Sequence, residues 1–379
     1  MKKLKGSLTL GRVSGIKIQV HWTFLLLVGW IVFLELSRGN DLAAILWSLA
    51  FVMVLFACVV LHELGHALTA ARYGIGTRQI TLLPIGGLAS LESMPEDPRE
   101  ELMVAVAGPA VNVVIALLLY LVVPIEQFMN QDPAQLEETM SAINAGNFMF
   151  YLFSANVMLV LFNIIPAFPM DGGRILRSLL SMKMNRIQAT QIAAWLGQMV
   201  AFLFFIFGLI FNPILALIGV FVFFGAQGEN VMVQQMALLR NRTVSDAMMT
   251  DITVLNPDDT LTKVVDRVLA GTERDFVVAE NGQVQGVLYQ QQLASAYQKK
   301  NGTQRTRDIM DTNVESLSSG DPLSEAYMKI RSGKKNFFPV VDNGKLVGAI
   351  DLNNINEFIV FKSYPMMQED ASFNTPLSK

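Results

Sequence analysis

The feature that most constrains this chain is a long uncharged stretch that ends in a cluster of ionisable side chains. No charged residue occurs from Ile45 to Leu61, and the chain then continues His62-Glu63-Leu64-Gly65-His66. A helix places residues i and i+4 on one face, so both imidazoles can reach a single metal ion. Two histidines at this spacing suit zinc, and the Glu63 carboxylate can take a proton from a water molecule at the metal. Each ionisable group costs roughly 2.5–3.5 kcal/mol to place in a membrane span, which argues against a chance meeting of two buried histidines.

The composition divides the chain into a lipid-like part and an ordinary soluble part. Of the 379 residues 52% are hydrophobic and 16% are charged, and the charges concentrate after about residue 240. The formal net charge of −3 gives no indication of nucleic-acid binding. The single cysteine, Cys58, excludes an intrachain disulfide, and we expect no cleaved signal peptide at the N-terminus.

Six apolar segments predict six transmembrane helices. Their predicted bounds are 21–36, 42–73, 102–123, 147–165, 189–211 and 213–228. Lys and Arg occur before the first span, in the second and fourth connections and after the sixth span, whereas the loop 124–146 has none. The positive-inside rule therefore predicts a multi-pass cell-membrane protein with both termini in the cytoplasm. It also places His62, His66 and Asp171 at the same, cytoplasmic depth.

For several residues near these spans, the sequence predicts a specific backbone conformation or environment. Prolines and glycines around Asp171 predict irregular backbone there, which membrane proteins tolerate only in an interior or a water-filled cavity. Gly65 leaves room for close backbone approach, and Asn112 needs a partner inside the bundle. We expect His21 to be an interfacial residue rather than a ligand, and Glu35 and Glu229 to be solvated. Residues 6–20 predict short strands at the membrane surface.

The glycine pair Gly86-Gly87 lies between two β-prone runs within residues 81–92. This pattern fits a hairpin or bent edge strand, and equally a surface loop with a tight turn. An edge strand would be able to pair with an extended peptide by strand addition.

The soluble part repeats itself with an offset of 62 residues. Asp246-Ala-Met248 matches Asp308-Ile-Met310, and Asn281-Gly282 matches Asn343-Gly344. Two βαββα-like units would form a pseudo-symmetric pair. The predicted domains are a membrane domain at 1–228, a connecting helix at 229–242, repeats at 243–300 and 305–362, and a polar tail at 363–379.

Taken together, these motifs resemble the site-2 protease family of intramembrane zinc metalloproteases. The resemblance rests on His62-Glu63-x-x-His66, the Gly86-Gly87 loop, Gly108-Pro109-x-x-Asn112, and Asn163-x-x-Pro166-x-x-Pro169-x-Asp171-Gly172. The 62-residue repeat resembles a tandem pair of cystathionine-β-synthase-type (CBS) domains, which one branch of that family carries at its C-terminus.

The resemblance implies one zinc per chain, bound by His62, His66 and Asp171, with Glu63 as the general base. It implies a membrane-anchored protein substrate, cut within or beside its spanning segment in contact with lipid. We expect Gly86 and Gly87 to pair with the unwound substrate. Asn163 would hydrogen-bond the substrate or the oxyanion, or serve only to break the helix and pack.

The CBS-like pair departs from the nucleotide-binding pattern that the resemblance implies, a Gly-x-x-Thr/Ser-x-x-Asp run. Tyr289 and Asp351 stand where a small hydroxyl is expected, and Gln292 and Asn354 stand at the aspartate position. We therefore expect weak or absent binding of adenine nucleotides and a docking role, with a homodimer through the pair left open. The alternatives to a protease are a CBS-regulated channel or transporter and an inactive membrane scaffold.

Overall fold

The computed structural model describes residues 6–84, 86–91, 94–129, 132, 142–300, 304–333 and 335–361. Residues 130–131 and 133–141 of the predicted loop 124–146 therefore lie outside the described residues, and the predicted tail 363–379 lies wholly outside them. The chain divides into two compact units, one that ends at Val233 and one that begins at Gln234. Each unit is described by itself.

The first unit combines one small sheet with the long apolar helices. Its strands are β1 (Ser7–Val13), β2 (Ile16–His21), β3 (Thr77–Leu83) and β4 (Gly86–Leu91). Its helices are α1 (Phe24–Ser37), α2 (Leu42–Arg72), α3 (Pro98–Tyr120), α4 (Ile125–Met129), α5 (Phe148–Ile164), α6 (Asp171–Ser181), α7 (Arg186–Phe211) and α8 (Pro213–Leu239).

The four strands form one sheet in the order β1-β2-β3-β4. β2 and β3 are parallel, and the two outer pairs are antiparallel. Ile16 and Ile80 from the sheet pack against Leu64 and Ala67 of α2 in one buried cluster. The expected strands in residues 6–20 are confirmed, and the glycine pair begins a strand rather than a loop.

Four helices in the described residues are long and apolar enough to cross a membrane, namely α2, α3, α7 and α8. The helices α1 and α5 are apolar but shorter, with 14 and 17 residues. α1 begins at Phe24 rather than at His21, because His21 ends strand β2. The last predicted span and the predicted connecting helix form one helix, since no proline interrupts residues 214–239.

Asp171 does not lie on irregular backbone, contrary to the expectation from its neighbours. It is the first residue of α6, a helix that the sequence analysis missed because two glycines disfavour helix at its start. Both glycines are required by packing. A Cβ on Gly173 would lie 2.6 Å from the Phe168 backbone nitrogen, and one on Gly172 would overlap the Ile164 and Ile165 carbonyls. The chain before α6 therefore folds back tightly on the helix start.

Arg177 on α6 is the centre of a buried ion network that the sequence analysis did not predict. Its guanidinium donates to the Glu101 carboxylate of α3, with Nε 2.9 Å from Oε1, and to Glu229 Oε1 of α8 at 2.6 Å. Arg186 lies 3.3 Å from the other Glu101 oxygen. The expectation of a solvated Glu229 is therefore wrong, because its carboxylate is bound by Arg177.

Glu35 is also not solvated as expected, since only 7% of it is exposed. Ser48 Oγ donates to its carboxylate at 2.9 Å and Asn40 Nδ2 donates at 2.5 Å. The Ser48 bond joins α2 to α1. Polar groups in an apolar setting are favoured when each has a hydrogen-bond partner. His21 is buried and its Nδ1 lies 2.8 Å from Thr23 Oγ1.

The second unit shows the predicted repeat. Its strands are β5 (Val254–Leu255), β6 (Phe276–Glu280), β7 (Gln283–Leu288), β8 (Phe337–Asp342) and β9 (Lys345–Asp351). Its helices are α9 (Leu261–Ala270), α10 (Gln290–Lys300), α11 (Leu323–Ser332) and α12 (352–361). Asn281 and Asn343 both adopt positive φ before glycine, which is typical of the tight turn in each hairpin.

The two repeats exchange equivalent backbone bonds. Met249 pairs with Ala349 through two hydrogen bonds of 2.8 and 3.0 Å, and Val287 pairs with Asp311 through bonds of 3.0 and 2.9 Å. These pairs are related by the 62-residue offset, with the two repeats exchanged. Val277 and Phe337 share one buried cluster across the pair. The pseudo-symmetric arrangement predicted from the repeat is therefore present.

We predict that Arg177→Met destabilises the membrane unit by roughly 3–5 kcal/mol, because it leaves the Glu101 carboxylate buried without its main counter-ion. Thermal unfolding in detergent measures the loss. The double variant Arg177→Met/Glu101→Leu should recover part of it, since replacing both charges by apolar groups avoids the unpaired charge. A single variant as stable as the wild type would contradict a structural role for the network.

Candidate metal centre

His62 and His66 lie one turn apart on α2 and present their imidazoles to one point. Both are buried, and their Nε2 atoms are 3.1 Å apart. Gly65 permits this placement because a Cβ there would lie 2.8 Å from the Ala107 carbonyl oxygen of α3. Gly108 of α3 acts in the same way, since a Cβ on it would overlap both histidine rings. The close backbone approach expected at Gly65 is thus observed.

Asp171 brings a carboxylate to the same point from the start of α6. Its Oδ2 lies 3.2 Å from each Nε2 atom. Its position in the first turn of a helix favours a negative charge, because the backbone N–H groups there point towards it. The three buried residues form a group that could hold a metal ion, and they come from two distant parts of the sequence.

The outer nitrogens of both histidines have partners that orient the rings. His66 Nδ1 donates to the Val104 carbonyl oxygen at 2.7 Å. A carbonyl oxygen only accepts, so this nitrogen carries the hydrogen and the Nε2 lone pair faces the site. His62 Nδ1 lies 2.5 Å from Asn112 Oδ1, which supplies the partner that Asn112 was expected to need. Metal-binding histidines typically show such outer hydrogen bonds.

The spacing of the three atoms fits zinc. Tetrahedral zinc with bonds of about 2.0–2.1 Å separates neighbouring ligand atoms by roughly 3.3 Å, close to the 3.1–3.2 Å found here. Two imidazole lone pairs and a carboxylate oxygen can all donate electron pairs to a cation. Three protein ligands leave a fourth position open, which is typical of catalytic zinc rather than structural zinc.

Glu63 is half-buried and lies beside the histidines without joining the three-residue group. Strand β4 passes directly over it, since a Cβ on Gly87 would lie 2.8 Å from Glu63 Cγ. β4 is the last strand of the sheet among the described residues, and β3 pairs with only one of its edges. Gly86 adopts a φ of +135°, a conformation that favours glycine.

Asn163 is not brought into hydrogen-bonding contact with these residues. It is half-buried at the end of α5, and its side chain forms no hydrogen bond to any described residue. A second amide of α5, Asn156, was missed by the sequence analysis. It is completely buried and accepts a hydrogen bond from Asn112 Nδ2 at 2.9 Å. The available signal was an amide inside an apolar span, where polar residues mark functional sites.

In the second unit, Gln292 and Asn354 stand at the position of the aspartate in the nucleotide-binding pattern, and each accepts a hydrogen bond from the backbone three residues earlier. Gln292 Oε1 accepts from the Tyr289 N–H at 3.2 Å, and Asn354 Oδ1 accepts from the Asp351 N–H at 3.2 Å. Burial, followed by the nearby carboxylates of Asp311, Asp275 and Glu315, raises the pKa of Tyr289 to about 12. The surroundings of this tyrosine are therefore acidic.

Comparison with known proteins identifies both parts of the chain. The model of peptidase family M50 matches residues 50–207, and that of the CBS domain matches residues 244–299 and 307–360. A zinc metalloprotease of Methanocaldococcus jannaschii is 36% identical over 350 residues, which cover 92% of this chain and 95% of that protein. Rip3 of Mycobacterium tuberculosis is 24% identical over 401 residues, with 98% and 97% covered.

A solved structure of a site-2 protease from Methanocaldococcus jannaschii is 37% identical and covers 59% of this chain and 95% of that chain, with a TM-score of 0.43. The first relative extends over nearly the whole chain, and the family models match in the same order as the two units. The chain therefore belongs to peptidase family M50, the site-2 protease family of zinc metalloproteases, as a multi-pass membrane protein with two C-terminal CBS domains.

Proposed function

We propose that this enzyme hydrolyses a peptide bond within or next to the transmembrane segment of a membrane-anchored protein. His62, His66 and Asp171 would hold its zinc, and Glu63 would act as general base. The observation that carries the proposal is the meeting of two Nε2 atoms and one carboxylate oxygen within 3.2 Å inside an apolar helical unit.

The zinc ligands and Glu63 have separate roles in the proposed hydrolysis. Zinc, when bound, supplies positive charge that makes water more acidic and polarises the substrate carbonyl. The two neutral imidazoles and the Asp171 carboxylate leave part of that charge uncompensated. Glu63, next to the first ligand, takes the proton from the attacking water and returns it to the leaving amine. This proton transfer needs no movement of the buried ligands.

We propose that the substrate binds as an extended strand along the outer edge of β4. A helical substrate hides its backbone, and pairing with a strand edge would hold an unwound segment open for attack. Gly87 supports this role, because only glycine lets β4 pass this close to Glu63. Gly86 would continue the same edge, and Asn163 would hydrogen-bond the substrate or the oxyanion from the end of α5.

We also propose six transmembrane helices in the cell membrane, with both termini cytoplasmic. The four long apolar helices support this proposal, and α1 and α5 would supply the other two spans. At 1.5 Å per residue α5 is about 26 Å long and α1 about 21 Å, short of a hydrocarbon core of about 30 Å, so the bilayer would thin locally around them. Labelling of cysteines placed in the loop 124–146 and in the CBS domains, from opposite sides of the membrane, measures the topology.

For the CBS domains we propose a docking or regulatory role with weak nucleotide binding. We assign them to residues 243–300 and 305–362, joined to the membrane domain 1–228 through 229–242. Gln292 and Asn354 are occupied in local backbone bonds, and Asp351 and its neighbours make the surroundings acidic. A phosphate would meet like charge there. The same pair could also join two copies of the chain as a homodimer.

The first test concerns the metal. We predict that His62→Ala, His66→Ala and Asp171→Ala each abolish zinc retention, because a site with three protein ligands cannot spare one. Elemental analysis of purified protein measures it, with about one zinc per chain expected in the wild type. His21→Ala is the matched control, since His21 lies outside the group and should keep its zinc. Full zinc retention in Asp171→Ala would remove Asp171 from the ligand set.

The second test separates the protease from an inactive scaffold. We predict that Glu63→Gln keeps the zinc and the fold but lowers cleavage of a single-span substrate by a factor of about 10²–10⁴, because the amide cannot accept the proton. Reconstituted vesicles with enzyme and substrate give the rate. Cleavage within about tenfold of the wild type would exclude Glu63 as the base. Wild-type protein that holds zinc but cuts no membrane-anchored substrate would favour the scaffold.

The third test concerns the CBS domains. We predict that the full-length protein in detergent shows no binding of AMP, ADP or ATP in the low-micromolar range by calorimetry. A dissociation constant of that size corresponds to about −8 kcal/mol and would require strong phosphate contacts, which the acidic surroundings of Tyr289 disfavour. A micromolar constant for any of the three nucleotides would overturn the docking role and indicate a nucleotide sensor.

A further inference from the structure

Asn156 is a buried polar residue that the proposed mechanism leaves without a role. It lies in α5 with 0% of its surface exposed. Its Nδ2 donates to the Leu152 carbonyl oxygen at 2.8 Å, and its Oδ1 accepts from Asn112 Nδ2 at 2.9 Å. Asn112, also 0% exposed, in turn faces His62 Nδ1 with its Oδ1 at 2.5 Å. The three bonds form a continuous chain from the α5 backbone to a proposed zinc ligand.

The direction of every bond in this chain is fixed at its far end. A backbone carbonyl only accepts, so Asn156 must turn its NH₂ group towards Leu152 and its oxygen towards Asn112. Asn112 must then turn its own NH₂ group towards Asn156 and its oxygen towards His62. An acceptor opposite Nδ1 requires the hydrogen of His62 on Nδ1 and leaves the lone pair on Nε2.

The opposite orientation of Asn112 would disable the ligand. An NH₂ group facing Nδ1 favours the tautomer with hydrogen on Nε2, and that hydrogen would point at His66 Nε2 and Asp171 Oδ2. His66 cannot adopt the wrong tautomer in this arrangement, because its Nδ1 donates directly to the Val104 carbonyl oxygen. His62 has an amide there, which can turn round unless a further group holds it.

We propose that Asn156 is a positioning residue of the metal centre, which fixes Asn112 and through it the metal-binding tautomer and ring orientation of His62. This inference rests on the proposed role of His62 as a zinc ligand. Asn156 lies two bonds away from the imidazole and touches neither metal nor substrate. Its effect is therefore on metal affinity, where the loss of such outer hydrogen bonds is typically worth 10–100-fold.

The experiment measures zinc affinity of the full-length protein in detergent by competition with a chromophoric chelator. We expect Asn156→Leu to raise the zinc dissociation constant by about 10–100-fold and to alter the visible spectrum of the cobalt-loaded protein. Leucine is apolar and similar in size, so it suits a membrane helix. Asn163→Leu is the matched control for zinc affinity alone. It makes the same exchange in the same helix, at a residue whose side chain forms no hydrogen bond to any described residue, and should bind zinc like the wild type.

A second pair separates hydrogen bonding from packing and remains decisive if the leucine variant does not fold. Serine and alanine remove similar volume, but only the serine hydroxyl can donate to the carbonyl four residues back and still accept from Asn112. We expect Asn156→Ser to bind zinc more tightly than Asn156→Ala. Equal affinities in this pair, or wild-type affinity in Asn156→Leu, would overturn the inference and leave the proposed function intact. A wild-type protein that retains no zinc would overturn both.

Discussion

The structure of the membrane unit depends on bringing three side chains that can donate electron pairs to zinc to one point inside an apolar setting. His62 and His66 come from α2 and Asp171 from α6, 105 residues after His66 in the sequence. Atoms of this kind repel at 3.1–3.2 Å, so the site requires backbone elements that hold them against that repulsion. Glycines provide the necessary approach of the backbones, at Gly65 and Gly108 between α2 and α3 and at Gly172 and Gly173 in the first turn of α6.

The same unit shows how buried polar groups are satisfied without water. Asn112 and Asn156 bind one another and the backbone, Glu35 is held by Ser48 and Asn40, and Arg177 binds Glu101. Most of these bonds join different helices, while Asn156 Nδ2 binds a carbonyl of its own helix and Asn40 binds Glu35 from the connection after α1. In an apolar setting an unpaired group would be costly, so these pairs restrict how the helices can be arranged around the metal centre.

The CBS unit follows a different physical logic. The first repeat buries a core of its own, and a second buried cluster contains residues of both repeats. The equivalent pairs Met249–Ala349 and Val287–Asp311 connect the repeats by backbone hydrogen bonds that are independent of side-chain identity. The shared framework can therefore persist while its ligand-binding positions change. Tyr289 and Asp351 are such changes, and they replace residues suited to phosphate with a bulky ring and a carboxylate.

The sequence by itself determined the parts that are governed by local patterns. The histidine spacing on a helix and the apolar segments follow from local patterns, and the CBS pair follows from the 62-residue repeat. The glycine pair by itself fitted a strand and a surface loop equally. Only the tertiary structure decided the features that depend on what lies opposite a residue. α6 begins with two glycines, which disfavour a helix in sequence. The structure shows why glycine stands there, since close backbone contacts exclude larger side chains. In sequence, Glu35 and Glu229 read as solvated residues near span ends, and Asn156 reads as an amide within an apolar span whose partner is not evident. Their burial and partners were decided by helix packing, which no local pattern encodes.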